Sequence, residues 1–461
     1  MIIILILYFL LLFLLSKVTA KKDGNDTFYR GERKSSWLMV AYGMIGASVS
    51  GVSFVSVPGM VVSQDMTYLQ TCFGFILGYF IVANVLLPIF YKQNITSIYE
   101  VLGNQRVAAV LYFVSDILGS AVKFFLVCSM LQIFIFNDLG LPFYLTVPLL
   151  VLCIWLYTKT GGVKTLVFTD VMQTTCMLIA LIGLLWSLNE HYSPLVSNSE
   201  HFRIFEFSDF KSTQNFWKQF LSGAFIVVVM TGLNQNMMQK NLTCRTLKES
   251  QKNMRLCGFF FVPINFLFLI LGIMLTLWVG DAGELVEMPQ KGDDLLPLFI
   301  QTENIFWVKM LFVLGIISAA FSSADSSLTA LTTSFCVDIM RKPEDERLRK
   351  ISHVVISMLF VLTVFAIKAM GSGSLLDLVY VLVSYTYGPL LGLFGFNLLY
   401  KKTCLPSVPT LVICVAAPVI CYFMNNYTTT YYDYKFGYEL LLINGFITFI
   451  GLKTLNKFAK K

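Results

Sequence analysis

Thirteen apolar stretches follow one another along this chain, separated by short polar connections, and they limit its fold more than any other feature. They run over 2 to 16, 36 to 57, 67 to 91, 107 to 136, 142 to 158, 163 to 188, 214 to 236, 254 to 279, 304 to 338, 349 to 369, 374 to 400, 407 to 424 and 437 to 455. About 20 apolar residues in a helix span roughly 30 Å of hydrocarbon. In that medium the backbone must satisfy its hydrogen bonds internally, which leaves helices or closed barrels. With 56% hydrophobic and 13% charged residues and a mean hydropathy of +0.72, the chain is too apolar for a water-soluble globule. The expectation is an all-α polytopic membrane protein with about 13 transmembrane helices.

Charge gives the orientation, because Lys and Arg stay on the cytoplasmic side. With the N-terminus outside and the C-terminus cytoplasmic, 26 of the 34 basic residues fall inside. Seven fall outside, and Lys123 lies mid-membrane. The net charge of +7 thus reflects topology and calls for no nucleic-acid partner. The opening "MIIILILYFLLLFLLSKVTA" has a rival reading as a cleaved signal peptide, since "VTA" resembles a cleavage site. It lacks a basic start, and cleavage would leave the basic "KKDGNDTFYRGERK" outside, so an uncleaved helix is expected.

Enzyme readings find little support. The ten cysteines are scattered without paired spacing, and the three histidines form no metal-ligand cluster. No phosphate-cradling loop, nucleophile elbow or zinc motif is present. No cofactor is expected. The largest extramembrane stretches, 188 to 213 and 237 to 253, are too short for a catalytic appendage, so the chemistry belongs inside the helical bundle.

Residues 1–35 form an extra helix with a basic loop, 36–188 hold five helices, 214–400 hold five more, and 401–461 hold two. Because five is odd, the second set has the opposite orientation, which is the arithmetic of an inverted repeat. In such folds the first helix of each repeat is broken near the bilayer centre. The first candidate reads "GMIGASVSGVSFVSVPG", and close helix packing through small residues is the competing account of it. The second, 214 to 236, ends in the polar "TGLNQN".

In "AAFSSADSSLTAL", residues 319 to 331, Ala319, Ser322, Ser323, Ser326 and Thr329 recur every three or four positions and share one helix face, with Asp325 at its margin. Hydroxyls and backbone carbonyls are hard oxygen ligands, suited to a monovalent cation such as sodium. The plainer account is that these serines bond back to their own helix. Asp170, Asp325 and Lys123 add ionisable groups at depth, which in membranes are functional or paired. Asp116, seven residues before Lys123, is the structural partner that would explain that lysine away.

Three segments carry a resemblance to the sodium:solute symporter family that extends from about residue 28 over nearly the whole chain. "GGVKTLVFTDVMQ" looks like the family's Gly-Gly signature ending in Thr-Asp-x-x-Gln, "NITSIYEVLGNQR" its Thr-Ser-x-Tyr-Glu segment, and "SAAFSSADSSL" its sodium-site helix. The resemblance implies a leucine-transporter-like fold of 5+5 inverted repeats. It implies a sodium site formed by carbonyls of Gly46, Val49 and Ala319 with hydroxyls of Ser322 and Ser323. It also implies a second sodium site at Asp170, Asp325 and Ser326, where Asp325 replaces a serine of other members. Ser50, Ser53, Gln70 and Lys123 match its substrate contacts, and the cation at Lys123 suggests a carboxylate-bearing solute.

The expected function is sodium-coupled import of a small organic solute, such as a sugar, a sugar acid like sialic acid, or another carboxylate, by alternating access. The expected setting is a bacterial inner membrane, with solute, Na+ and bilayer as partners and no obligate protein partner. A proton-coupled carrier using Asp170 or Asp325 is the main alternative. A transport-like sensor is disfavoured because "KTLNKFAKK" adds no signalling module.

Overall fold

A computed structural model describes residues 1–19, 24–283, 286–370, 382–400 and 403–459. The first half contains α1 (Ile2–Thr19), α2 (Asn25–Arg30), α3 (Trp37–Ser48), α4 (Gly51–Gln64), α5 (Tyr68–Ile81), α6 (Leu87–Gln93), α7 (Gln105–Leu131), α8 (Phe143–Thr158) and α9 (Val163–Tyr192). The second half contains α10 (Phe216–Val227), α11 (Gln235–Asn241), α12 (Leu247–Ala282), α13 (Leu295–Glu303), α14 (Phe306–Ser334), α15 (Glu346–Met370), α16 (Gly388–Leu399), α17 (Ser407–Tyr432) and α18 (Leu440–Ala459). Among the described residues the extended backbone pairs only once, in an isolated bridge between Ser35 and Cys244.

Each of the thirteen apolar runs meets a helix, although part of the run 374 to 400 lies outside the described residues. Among those residues nine helices are long and apolar enough to cross a membrane, or eleven when each of two bent pairs counts as one crossing. Phe143–Thr158 is apolar but shorter. The outward surface matches a lipid solvent: Leu145, Trp186 and Phe446 are all more than half exposed, a display of apolar side chains that water would penalise.

The two bent pairs are the two helices expected to break. Between α3 and α4 the backbone leaves the helix at Val49 (φ −86°, ψ 87°) and Ser50 (φ −71°, ψ 168°), and the axis turns by 54°. Ser50 then caps α4, its Oγ accepting from Ser53 N at 3.5 Å, which answers one of the orphaned amides that any helix start leaves. The second break follows a π-turn over Val228–Gly232. Asn234 (φ −107°, ψ 118°) caps α11 by accepting from Asn236 N at 2.8 Å, and this pair bends by 69°.

Close packing by small residues, the competing account of the first stretch, holds alongside the break. A side chain on Gly43 would put its Cβ 2.7 Å from Asp170 Cβ, and one on Gly46 would collide with Thr174 Oγ1. A Cβ on Gly51 would come within 2.8 Å of the Val127 side chain on α7 and 3.4 Å of Ala320 on α14, and Gly59 lies against the backbone of Gly292. These glycines clamp α3 onto α9 and the start of α4 onto α14, so the broken segment is held at the centre of the bundle.

Candidate functional site

Where the two breaks approach α14, the chain leaves a cavity of about 100 Å³. The first break contributes Ser48, Ser50 and Ser53, the second Thr231, Asn234 and Asn236, α14 contributes Ser322 and Ser323, and α7 contributes Asp116, Ser120 and Lys123. Interrupted helices bring backbone polar groups to such a point, and only a cavity or protein makes them tolerable at membrane depth. The wall mixes these polar side chains with apolar ones such as Phe75, Met230 and Phe261. Among the described residues no three His, Cys, Asp or Glu side chains converge on a metal position.

Of the expected sodium-site residues, Ser322 and Ser323 line the cavity, and Gly46, Val49 and Ala319 lie outside its lining. Gly46 sits against Thr174 and Val49 marks the break, its N–H bonded to Ile45 O at 3.1 Å. Ser323 Oγ makes only a long 3.4 Å bond to Ala319 O. Ser322 donates its proton to Asp170 Oδ1 at 2.6 Å. Donation in that direction leaves the lone pairs of Ser322 available to another partner.

Asp170, Asp325 and Ser326 have other occupations. Asp170 Oδ2 lies 2.7 Å from Lys240 Nζ on α11, and both side chains are only 2% exposed. Asp325 accepts from Tyr157 Oη at 2.7 Å and from Ser326 Oγ at 3.0 Å. The structure therefore gives each carboxylate its own protein partners. Lys240 was missed by sequence reasoning, which counted it among the loop cations. Its clue was its place six residues beyond the polar break, on the short helix that the break creates.

Lys123 and Asp116 both face the cavity, yet they form no ion pair among the described residues. Asp116 is instead satisfied by a very short bond from Ser327 Oγ and by Asn234 Nδ2 at 3.3 Å. Lys123 is half-buried, with no hydrogen bond or ion pair among the described residues. Ser50 and Ser53 line the same space, but Gln70 does not. The Gln70 amide donates to Gln214 O at 2.9 Å and accepts from Glu206 N at 3.0 Å, pinning the segment before α10 to α5. Asn234 and Thr231, from the polar stretch expected at the second break, and Thr174 behind Gly46, which the sequence reading did not single out, complete the surroundings.

Comparison with known proteins agrees with this architecture. The sodium:solute symporter family model matches residues 28–405. The chain is 25% identical over 411 residues to the human sodium/iodide cotransporter, covering 83% of this chain and 62% of that one. It is 24% identical over 417 residues to the sodium/sialic acid symporter of Proteus mirabilis, covering 83% and 80%. The mouse sodium-coupled monocarboxylate transporter 2 is 24% identical over 82% of this chain and 64% of its own length. The chain thus spans under two thirds of these two mammalian relatives.

Among solved structures, a substrate-bound, outward-open Na+-coupled sialic acid symporter superposes with a TM-score of 0.83 at 18% identity, over 99% of this chain and 97% of that one. A closed nucleobase-cation-symport-1 transporter gives 0.59 at 11% identity, over 94% of each. The fold is that of the leucine-transporter-like sodium-coupled carriers, and the protein is a multi-pass membrane protein. With the family model covering most of its length, the chain belongs to the sodium:solute symporter family.

Proposed function

We propose that the protein is a sodium-coupled symporter that imports a small solute bearing a negative group, such as a sugar acid or another carboxylate. The observation that carries this reading is the hydroxyl-lined cavity shared by both helix breaks and α14. Carbonyls of Gly46, Val49 and Ala319 with hydroxyls of Ser322 and Ser323 would take the ion. Ser50 and Ser53 would position the solute, and Lys123 would face its negative group. The relatives named for iodide, sialic acid and monocarboxylates all act on anions, which supports a cation in the solute site.

One coupling ion is assigned. A second at Asp170, Asp325 and Ser326 would have to displace Lys240, Tyr157 and the internal serine bond from groups already satisfied. The same partners argue against a proton relay through either carboxylate. We read 36–188 and 214–400 as the inverted repeats, with the N-terminus outside, the C-terminus cytoplasmic, and a bacterial inner membrane as the setting. Sodium entering from outside ties the broken α3–α4 segment to α14, favours the outward-facing state and shapes the solute site, and both leave inside as the repeats rock. Each inward charge gains about 2.3 kcal/mol per 100 mV of potential, before the sodium gradient is counted.

Purified protein in liposomes tests this. Uptake should require an inward sodium gradient and leave the solute chemically unchanged. Uptake that survives replacement of sodium by choline at constant pH would reject the coupling ion. A thermal-shift screen of solutes with and without sodium would identify the substrate.

A further inference from the structure

Far from the central cavity, at the end of the bundle where basic residues gather, the last turn of α8 and the first turns of α15 enclose a groove of about 570 Å³. Lys159, Arg349 and Lys350 line it and no carboxylate does. The Lys159 ammonium stands 4.9 Å from the Trp155 ring, and the Arg349 guanidinium, 1% exposed, lies 4.9 Å over Phe28. The Trp155 indole N–H is buried here and has no acceptor among the described residues, a costly state for a donor.

Apolar rails lead away from this charged end along both helices. On α15, Ile351, Val355, Met358 and Leu362 are all more than half exposed and recur every three or four residues. On α8, Leu152, Leu149 and Leu145 are exposed in the same direction away from Lys159. The groove thus combines a cationic head pocket and an unanswered donor with two apolar tracks that start at its edge.

We propose that this groove binds an anionic phospholipid, with its phosphate among Lys159, Arg349, Lys350 and the Trp155 N–H and its acyl chains along α8 and α15. Basic pockets between helices at the membrane surface suit such head groups. A ligand that binds the folded state alone stabilises it in proportion to its occupancy, so the binding is readable as a thermal shift.

The test uses the full-length protein in neutral detergent, titrated with phosphatidylglycerol, phosphatidylcholine or inorganic phosphate. Phosphatidylglycerol should raise the Tm in a saturable way, and the other two should not at equal concentration. Lys159→Gln and Lys350→Gln, both at exposed positions, should each lose part of the rise measured against the variant's own lipid-free Tm, and the double variant most of it. Trp155→Phe, which keeps the ring and removes the donor, should weaken the lipid affinity. An equal rise with phosphatidylcholine, a rise with phosphate alone, or a full rise in the double lysine variant would overturn the proposal.

Discussion

Lys240 and Asp170 meet at 2.7 Å with almost no solvent, and neither can lose the other cheaply. Removing one partner of a buried pair leaves an uncompensated charge, at a cost of about 3–5 kcal/mol, whereas replacing both is tolerated far better. Lys240→Met should therefore lower the Tm sharply or prevent accumulation, and Lys240→Met with Asp170→Asn should recover most of the loss in a detergent unfolding assay. Additive losses in the double variant would show that the pair is not energetically coupled. Ser322, held on the other oxygen of Asp170, should matter for the ion instead. Losing one ligand worth about 1.4 kcal/mol corresponds to tenfold in affinity, so Ser322→Ala should raise the half-saturating sodium concentration by about tenfold with normal insertion. An unchanged sodium dependence would remove Ser322 from the ion site. At Lys123, which has no ion pair with Asp116, Lys123→Ala should reduce uptake of acidic solutes much more than of neutral ones. Equal loss for both would remove its role in recognising the negative group.

At the level of elements, the first break was readable because three signals coincide in "GASVSGVSFVSVPG": glycines, serines able to cap, and a proline. The second was only partly readable. "TGLNQN" shows the capping Asn234 but conceals the π-turn before it, since π-turns arise from side-chain packing and have no residue signature of their own. The stripe on α14 was legible because three- and four-residue spacing maps directly onto a helix face, and all its members are buried. The partners of that stripe were not, because Asp170–Lys240, Asp325–Tyr157 and Asp116–Ser327 join residues 70 to 211 positions apart, and one sequence holds no record of such pairings. Gly59 tests how tightly the broken helix is clamped. Its added Cβ would strike the Gly292 backbone, which cannot rotate away as a side chain would. Overpacking of this kind costs about 1–3 kcal/mol, so Gly59→Ala should lower the Tm, whereas Gly119→Ala, with open space around it, should not. Equal Tm values for the two would mean that α4 is free to shift at this contact.

At the scale of the whole molecule, polar contacts tie connecting segments together at the two ends of the bundle. On one side, Asp65 binds His201 at 3.0 Å and Arg203 at 3.0 Å, and Gln70 ties down the same segment. On the other, Arg30 donates to Asn94 O at 2.9 Å, Arg33 to Ile95 O at 2.7 Å, and Glu32 pairs with Lys164 at 2.8 Å. The ammonium of Lys164 holds the Glu32 carboxyl below its ordinary range, so this latch is formed at neutral pH and is lost only as pH falls through that lowered value. In the proposed site ion and solute share one cavity beside the broken segment, so each influences the other through the state that the segment adopts and through their direct attraction. Linkage then requires reciprocity: if saturating sodium tightens solute binding by some factor, saturating solute must tighten sodium binding by the same factor. Titration of each ligand with and without the other, in purified protein, should return two equal factors. In Ser322→Ala the intrinsic sodium affinity should fall, and in Lys123→Ala the intrinsic affinity for an acidic solute should fall. Sodium affinity that is indifferent to saturating solute would mean that the two ligands do not draw on the same conformational change.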